Sequence, residues 1–194
     1  MNAGRPREFD TDKALESAMQ QFWRVGYEAT SLQDLLKAMR LSKSSLYQTF
    51  GSKHELFLRS IDIYQRSSVD ELQEKLNNSR NSKVFLKDFL ESVIAESTSR
   101  NKKGCLLVNT INELAYRDKA VSKAVAIGLN NMAGVIRGAI ELGKKEGAID
   151  AIKNTDMLVN YFITNVCGLR TLVKSGADKS ELLSVVNMII KTVY

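Results

Sequence analysis

Between Leu41 and Leu56 the chain reads LSKSSLYQTFGSKHEL, a helix-sized segment crowded with side chains that hydrogen-bond rather than pack. Leu46 and Phe50 stand four residues apart and mark an inward face, with Ser42 as a start signal and Gly51 as a stop. At about 100° per residue, Ser44 and Gln48 then point away from that face. Lys43 and Tyr47 form a stripe on one shoulder, and Ser45 and Thr49 a stripe on the other. Short hydroxyls and an amide at the outermost positions suit base edges in a DNA major groove, where Gln pairs with adenine. Lys43 and Tyr47 suit phosphate oxygens, which position a protein without reading sequence. Lys53, together with the free N–H groups that open the next helix, makes a further phosphate site. A solvated surface helix would carry the same residues, so the segment alone leaves both readings open.

Two neighbouring features bear on the choice. The N-terminal GRPREFD is a short basic arm, and arms of this kind slip arginines such as Arg5 and Arg7 into a narrow minor groove. Thr30 and Ser31 open the preceding helix, where a hydroxyl and the helix N-terminus together hold a phosphate or simply cap. Gln33, three residues after Thr30, has the spacing of a capping box.

Other chemistry finds little support. His54 is the only histidine, Cys105 and Cys167 lie far apart, and no Gly-rich phosphate loop or metal-ligand cluster occurs. Neither a catalytic set, nor a metal site, nor a cofactor is expected. The cysteine spacing gives no disulfide framework. No early apolar stretch resembles a signal peptide and no run approaches membrane-spanning length, so a cytoplasmic protein is expected, nucleoid-associated when bound to DNA.

The elements that must position these residues are helices. Pro6 is the only proline, apolar residues recur at helical spacing almost throughout, and no alternating strand pattern stands out. The spacing predicts helices over 12–25, from Thr30 or Ser31, over the polar segment, and over 52–76. Further helices are expected near 82–99, 106–116, 118–145, 155–174 and 179–193. The reading is all-α with about nine helices: a three-helix helix-turn-helix unit over 1–60 and a larger helical unit over 61–194. At 194 residues with 44% apolar and 26% charged residues, the chain has the make-up of an ordinary globular protein. Its net charge of +6 permits a polyanionic partner, but the charge is spread. Residues 1–60 hold nine Lys/Arg against seven Asp/Glu, the remainder nineteen against fifteen.

The run ALESAMQQFWRVGYEATSLQDLLKAMRLSKSSLYQTFGSKHELFLRSI resembles the DNA-binding domain of TetR-family transcriptional regulators. The matching pieces are Phe22, Gly26 and Tyr27 before Thr30, then SLQDLLKAM, then SKSSLYQTFGSKHEL. The resemblance implies phosphate contacts from Thr30, Lys43, Tyr47 and Lys53, to which position adds Ser31 and Thr49. It implies base reading by Ser44, Ser45 and Gln48. One departure is Arg40, which stands where the turn usually has glycine; a left-handed residue there costs about 1–2 kcal/mol.

The same resemblance implies a second domain that dimerises and binds a small effector. The two apolar C-terminal helices are the expected homodimer surface, with Gly168 and Ala177 able to allow close approach or to serve core packing. The partners are then a duplex operator, a second copy and a small molecule, and the expected activity is repression, with activation as the alternative. Polar residues that interrupt apolar helices (Asn109, Asn112, Glu113, Tyr161 and Asn165) are candidates for the effector pocket. Cys105 follows two lysines and a glycine at a helix start, which favours a thiolate and a sensor of oxidants or electrophiles. A small side chain filling a helix junction explains it as well. An α-helical protein–protein adaptor is the rival to DNA binding.

Overall fold

The computed structural model describes residues 9–95 and 103–194. Nine α-helices and one π-helical turn make up these residues, with no strand among them. They are α1 (Thr11–Val25), α2 (Leu32–Met39), α3 (Lys43–Phe50), α4 (Lys53–Asn77), α5 (Ser82–Ala95), α6 (Leu106–Thr110), α7 (Lys119–Lys145), α8 (Thr155–Ser175) and α9 (Lys179–Val193); a π turn (Ile111–Ala115) continues α6. The single helix expected over 106–116 is therefore split in type. Among the described residues no helix is long and apolar enough to cross a membrane.

Local signals explain the boundaries. The Asp10 carboxylate accepts from the N–H groups of Asp12 and Lys13 and starts α1, and Gly26 at φ 91° ends it. A capping box opens α2, but its members are Ser31 and Asp34, one residue beyond the Thr30–Gln33 pair expected from spacing. Thr30 instead turns inward. A second box, Ser52 with Glu55, opens α4.

Two cores result. One joins α5, α8, α9 and the distal half of α7 through Leu86, Leu90, Ile136, Phe162 and Val186. The other gathers Phe22, Leu35, Leu46, Phe50 and Phe57 from α1–α4 around Leu106, Leu107, Leu114, Val121 and Val125 from α6, the π turn and α7. The helix-turn-helix unit thus shares its core with the second half of the chain. A boundary at residue 60 falls inside α4, which at roughly 37 Å runs continuously through both.

The cap carboxylates make the fold acid-sensitive. Hydrogen bonds from Ser31 hold Asp34, and those from Ser52 hold Glu55, below the ordinary carboxylate range. A group depressed in the folded state stabilises it above its unfolded value of about 4, and that contribution is lost as pH falls through the folded value. The urea midpoint should therefore fall as pH drops below about 4. An Asp34→Asn/Glu55→Gln variant, less stable at neutral pH, should fall less over the same range.

Candidate nucleic-acid interface

Helix α3 has the geometry its sequence calls for. Leu46 and Phe50 are fully buried, Lys43, Ser44 and Gln48 are exposed, and Tyr47 is 46% exposed. Ser42 starts the helix by accepting from the Ser45 N–H at 3.1 Å. Its Oγ also lies 2.9 Å from the hydroxyls of both Ser44 and Ser45. Ser45 and Thr49 are half-buried on their shoulder, so Ser44 and Gln48 are the outermost groups. Ahead of α3, Arg40 adopts φ 54°, ψ 43°, the left-handed turn conformation expected at that position. It is the only non-glycine with positive φ among the described residues.

The expected phosphate residues divide. Lys43 and Tyr47 stand free on the surface beside Gln48. Lys53 is half-buried, its ammonium 4.3 Å above the Tyr27 ring, at the head of α4. There the capping box occupies the N–H groups of Ser52 and Glu55, leaving those of Lys53 and His54. Ser31 is exposed, but its hydroxyl donates to Asp34 Oδ2 at 2.6 Å. Thr30 is corrected: it is fully buried and its hydroxyl donates to the Gly26 carbonyl at 2.6 Å, which leaves it no face toward a phosphate. Arg5 and Arg7 lie outside the described residues.

The junction behind this surface was not legible in the sequence. The Glu113 carboxylate, on the π turn, accepts the N–H of Tyr27 at 3.1 Å and that of Glu28 at 2.8 Å. It packs so closely under Gly26 that a Cβ there would lie 2.8 Å from Glu113 Oε2. Trp23 donates its indole N–H to the Gly104 carbonyl at 2.8 Å. His54 Nε2 lies 2.7 Å from Asp118 Oδ2 at the head of α7. These polar bonds, each between residues more than sixty positions apart in sequence, tie the helix-turn-helix unit to α6, the π turn and α7.

The effector candidates have protein partners of their own. Glu113 is engaged with backbone, and Asn109 bridges the Lys103 carbonyl and the Lys174 ammonium. Both line a cleft of about 340 Å³ against the end of α1. Tyr161 and Asn165 are elsewhere, half-buried on the α8 face that also carries Met157, Gly168 and Leu172. Asn165 donates to the Tyr161 carbonyl within that helix. Cys105 is 2% exposed, and Lys103 directs its ammonium to Gln20 and the Trp23 ring instead. Burial pushes the nearby Cys167 thiol upward.

An alternative recess lies between α4 and α5. An open groove of about 770 Å³, lined by Glu71, Lys75, Phe85 and Phe89, adjoins a smaller open recess of about 170 Å³. The smaller recess reaches Trp23, Tyr64, Met132 and Arg170, and burial pushes the Tyr64 phenol upward. Neither Trp23 nor Arg170 was singled out by the sequence, because only the fold brings α1 and α8 to the same recess.

Comparison with known proteins gives the context. Residues 14–59 match the family model described as bacterial regulatory proteins, tetR family, and residues 85–189 match a tetracyclin repressor-like C-terminal domain. The uncharacterized HTH-type transcriptional regulator YezE of Bacillus subtilis (strain 168) is 29% identical over 182 residues, covering 92% of this chain and 93% of its own. The HTH-type transcriptional repressor ComR of Escherichia coli (strain K12) is 34% identical over 114 residues, 58% of this chain and 54% of its own. Among solved structures, a cysteine mutant of the TetR family transcriptional regulator CifR, complexed with 26-base-pair operator DNA, superimposes with a TM-score of 0.84 at 29% identity. It covers 98% of this chain and 100% of that one.

The turn at Arg40 yields a direct test. Arg40→Gly removes the left-handed penalty of about 1–2 kcal/mol and adds roughly 0.5–1 kcal/mol of unfolded-state entropy. Chemical denaturation should show stability unchanged or raised by up to about 1.5 kcal/mol, where a helical position would lose stability.

Proposed function

Since this chain belongs to the tetR family of bacterial regulatory proteins, we propose that it binds a palindromic operator as a homodimer and represses transcription until a small effector releases it. As a member it is a DNA-binding transcriptional regulator rather than an enzyme. The observation that carries the reading is α3, which buries Leu46 and Phe50 and leaves Lys43, Ser44, Tyr47 and Gln48 outward. In this reading Gln48 and Ser44, with Ser45 behind them, meet base edges. Lys43, Tyr47, Lys53 and the head of α4 hold phosphates, with Ser31 and Thr49 at the margin and Arg5 and Arg7 in the minor groove. Repression rather than activation is favoured by the repressor relative, and a surface so arranged for DNA argues against a protein adaptor.

The dimer is read from α8 and α9. Met157, Leu172 and Met188 are 71%, 45% and 60% exposed, an apolar face that a second copy would cover. A Cβ on Gly168 would meet nothing within 4 Å, so core packing does not explain that glycine, whereas close approach of a partner helix does. Ala177, in contrast, packs against the C-terminal core. Two-fold pairing would set the recognition helices about one DNA turn, roughly 34 Å, or a multiple apart.

Release is read from the recess and the junction together. An effector entering between α4 and α5 would press on Trp23, whose indole is tied to Gly104 beside α6. Motion there reaches Glu113 and, through it, the turn before α2. The effector must favour the displaced state, since equal affinity for both would shift nothing. The thiol-sensor alternative requires a reagent to reach Cys105, which its burial opposes.

Selection from a random duplex pool tests the assignment of bases and phosphates. Gln48→Ala should change the preferred sequence, while Tyr47→Phe should weaken all sites alike without altering preference. The opposite pattern would overturn the orientation of α3, and a parent dimer without sequence preference would overturn the regulator reading.

A further inference from the structure

The π turn leads into α7 through Tyr116, Arg117 and Asp118, and α7 continues with Lys119 and Lys123. Arg117, Lys119 and Lys123 are all exposed, and none of them forms an ion pair among the described residues. Tyr116 is 72% exposed; its hydroxyl accepts from Arg117 Nε, and the guanidinium lies 4.7 Å from its ring centroid. The one acid of this segment, Asp118, is engaged inwardly. Its Oδ1 caps α7 through the N–H groups of Ala120 and Val121, and its Oδ2 meets His54 Nε2 at 2.7 Å.

The His54 bond fixes where this cluster stands. His54 follows Lys53, the phosphate candidate at the head of α4, and both pack on the Tyr27 ring, at 6.5 Å and 4.3 Å. Consecutive Cα atoms are about 3.8 Å apart, so Arg117 and Lys119 flank Asp118 directly beside that head. The exposed cations of the α7 start therefore lie in the chain segment that meets the head of α4 through Asp118 and His54. We infer that the turn at 116–119, which belongs to the effector half of the chain, is a second DNA-contacting element. Arg117 and Lys119 engage backbone phosphates next to those held at Lys53, and Tyr116 holds the guanidinium against its exposed ring. Charge complementarity selects the partner, and the inference rests on the operator-binding reading above. Phosphate binding of this kind adds affinity without altering which sequence is preferred.

The test is the salt dependence of binding by the full-length dimer to its selected operator. Each neutralised phosphate contributes about 0.9 to the slope of log affinity against log salt. An Arg117→Ala/Lys119→Ala variant should select the same sequence, bind it more weakly, and show a slope shallower by about 1.8 to 3.6, as each protomer releases one or two phosphates. The Arg117→Lys/Lys119→Arg variant should retain the parent slope. Lys83→Ala/Lys145→Ala removes the same charge at the opposite end of α7, where Ser82 donates to Glu146, about 39 Å from Lys119, and should leave the slope unchanged. A parent-like slope in the alanine variant, or equal flattening by the distant pair, would overturn the inference while leaving operator binding intact. A parent that binds no duplex DNA would overturn both.

Discussion

The arrangement of the molecule turns on one carboxylate. Glu113 leaves the π turn after α6 and receives two backbone N–H groups, from Tyr27 and Glu28, in the turn between α1 and α2. These donors have no helical partner, because α1 has just ended at Gly26 and α2 has not begun. Charge-assisted hydrogen bonds are worth about 1.5–3 kcal/mol each where shielded, and less at a part-exposed site such as this. Their value here is positional. They fix the turn from which α2 and then α3 are launched, so the direction of α3 depends on a residue from the other half of the chain.

Everything near that carboxylate is built to hold it. The π turn follows Thr110, whose buried hydroxyl has no hydrogen-bond partner, and π turns recur at sites where a helix must re-aim its side chains. Trp23 and His54 add their own bonds to Gly104 and Asp118, and the core beneath mixes Phe22 and Phe57 with Leu107 and Val121. A unit as small as the helix-turn-helix buries little apolar surface alone. Sharing a core gives it stability and at the same time makes its position sensitive to α6 and α7.

The helices themselves were legible because their signals are local. Asp10, Ser42 and Ser52 cap, Gly26 and Gly51 stop, and the Leu46–Phe50 pair fixes which face of α3 turns outward. Arg40 was marked through the family resemblance, as a turn position where glycine is usual, and the structure gives it the left-handed conformation. Thr30 was misread because a hydroxyl beside a helix start can serve a cap, a phosphate or the preceding carbonyl, and only the packing chooses. The protein partners of Asn109, Glu113 and Asn165 could not be foreseen because a polar residue on an apolar helix looks alike whether it faces a ligand or a distant backbone. The partners that decide it lie from four to eighty-six residues away.

The most direct test of this coupling is amide hydrogen exchange at Tyr27 and Glu28 in the native protein and in Glu113→Ala. Both amides should be protected in the parent although they sit in a turn. The substitution should release them toward free-peptide rates while the interior of α1 stays protected. Free exchange at these two positions in the parent, or protection unchanged by Glu113→Ala, would contradict the account.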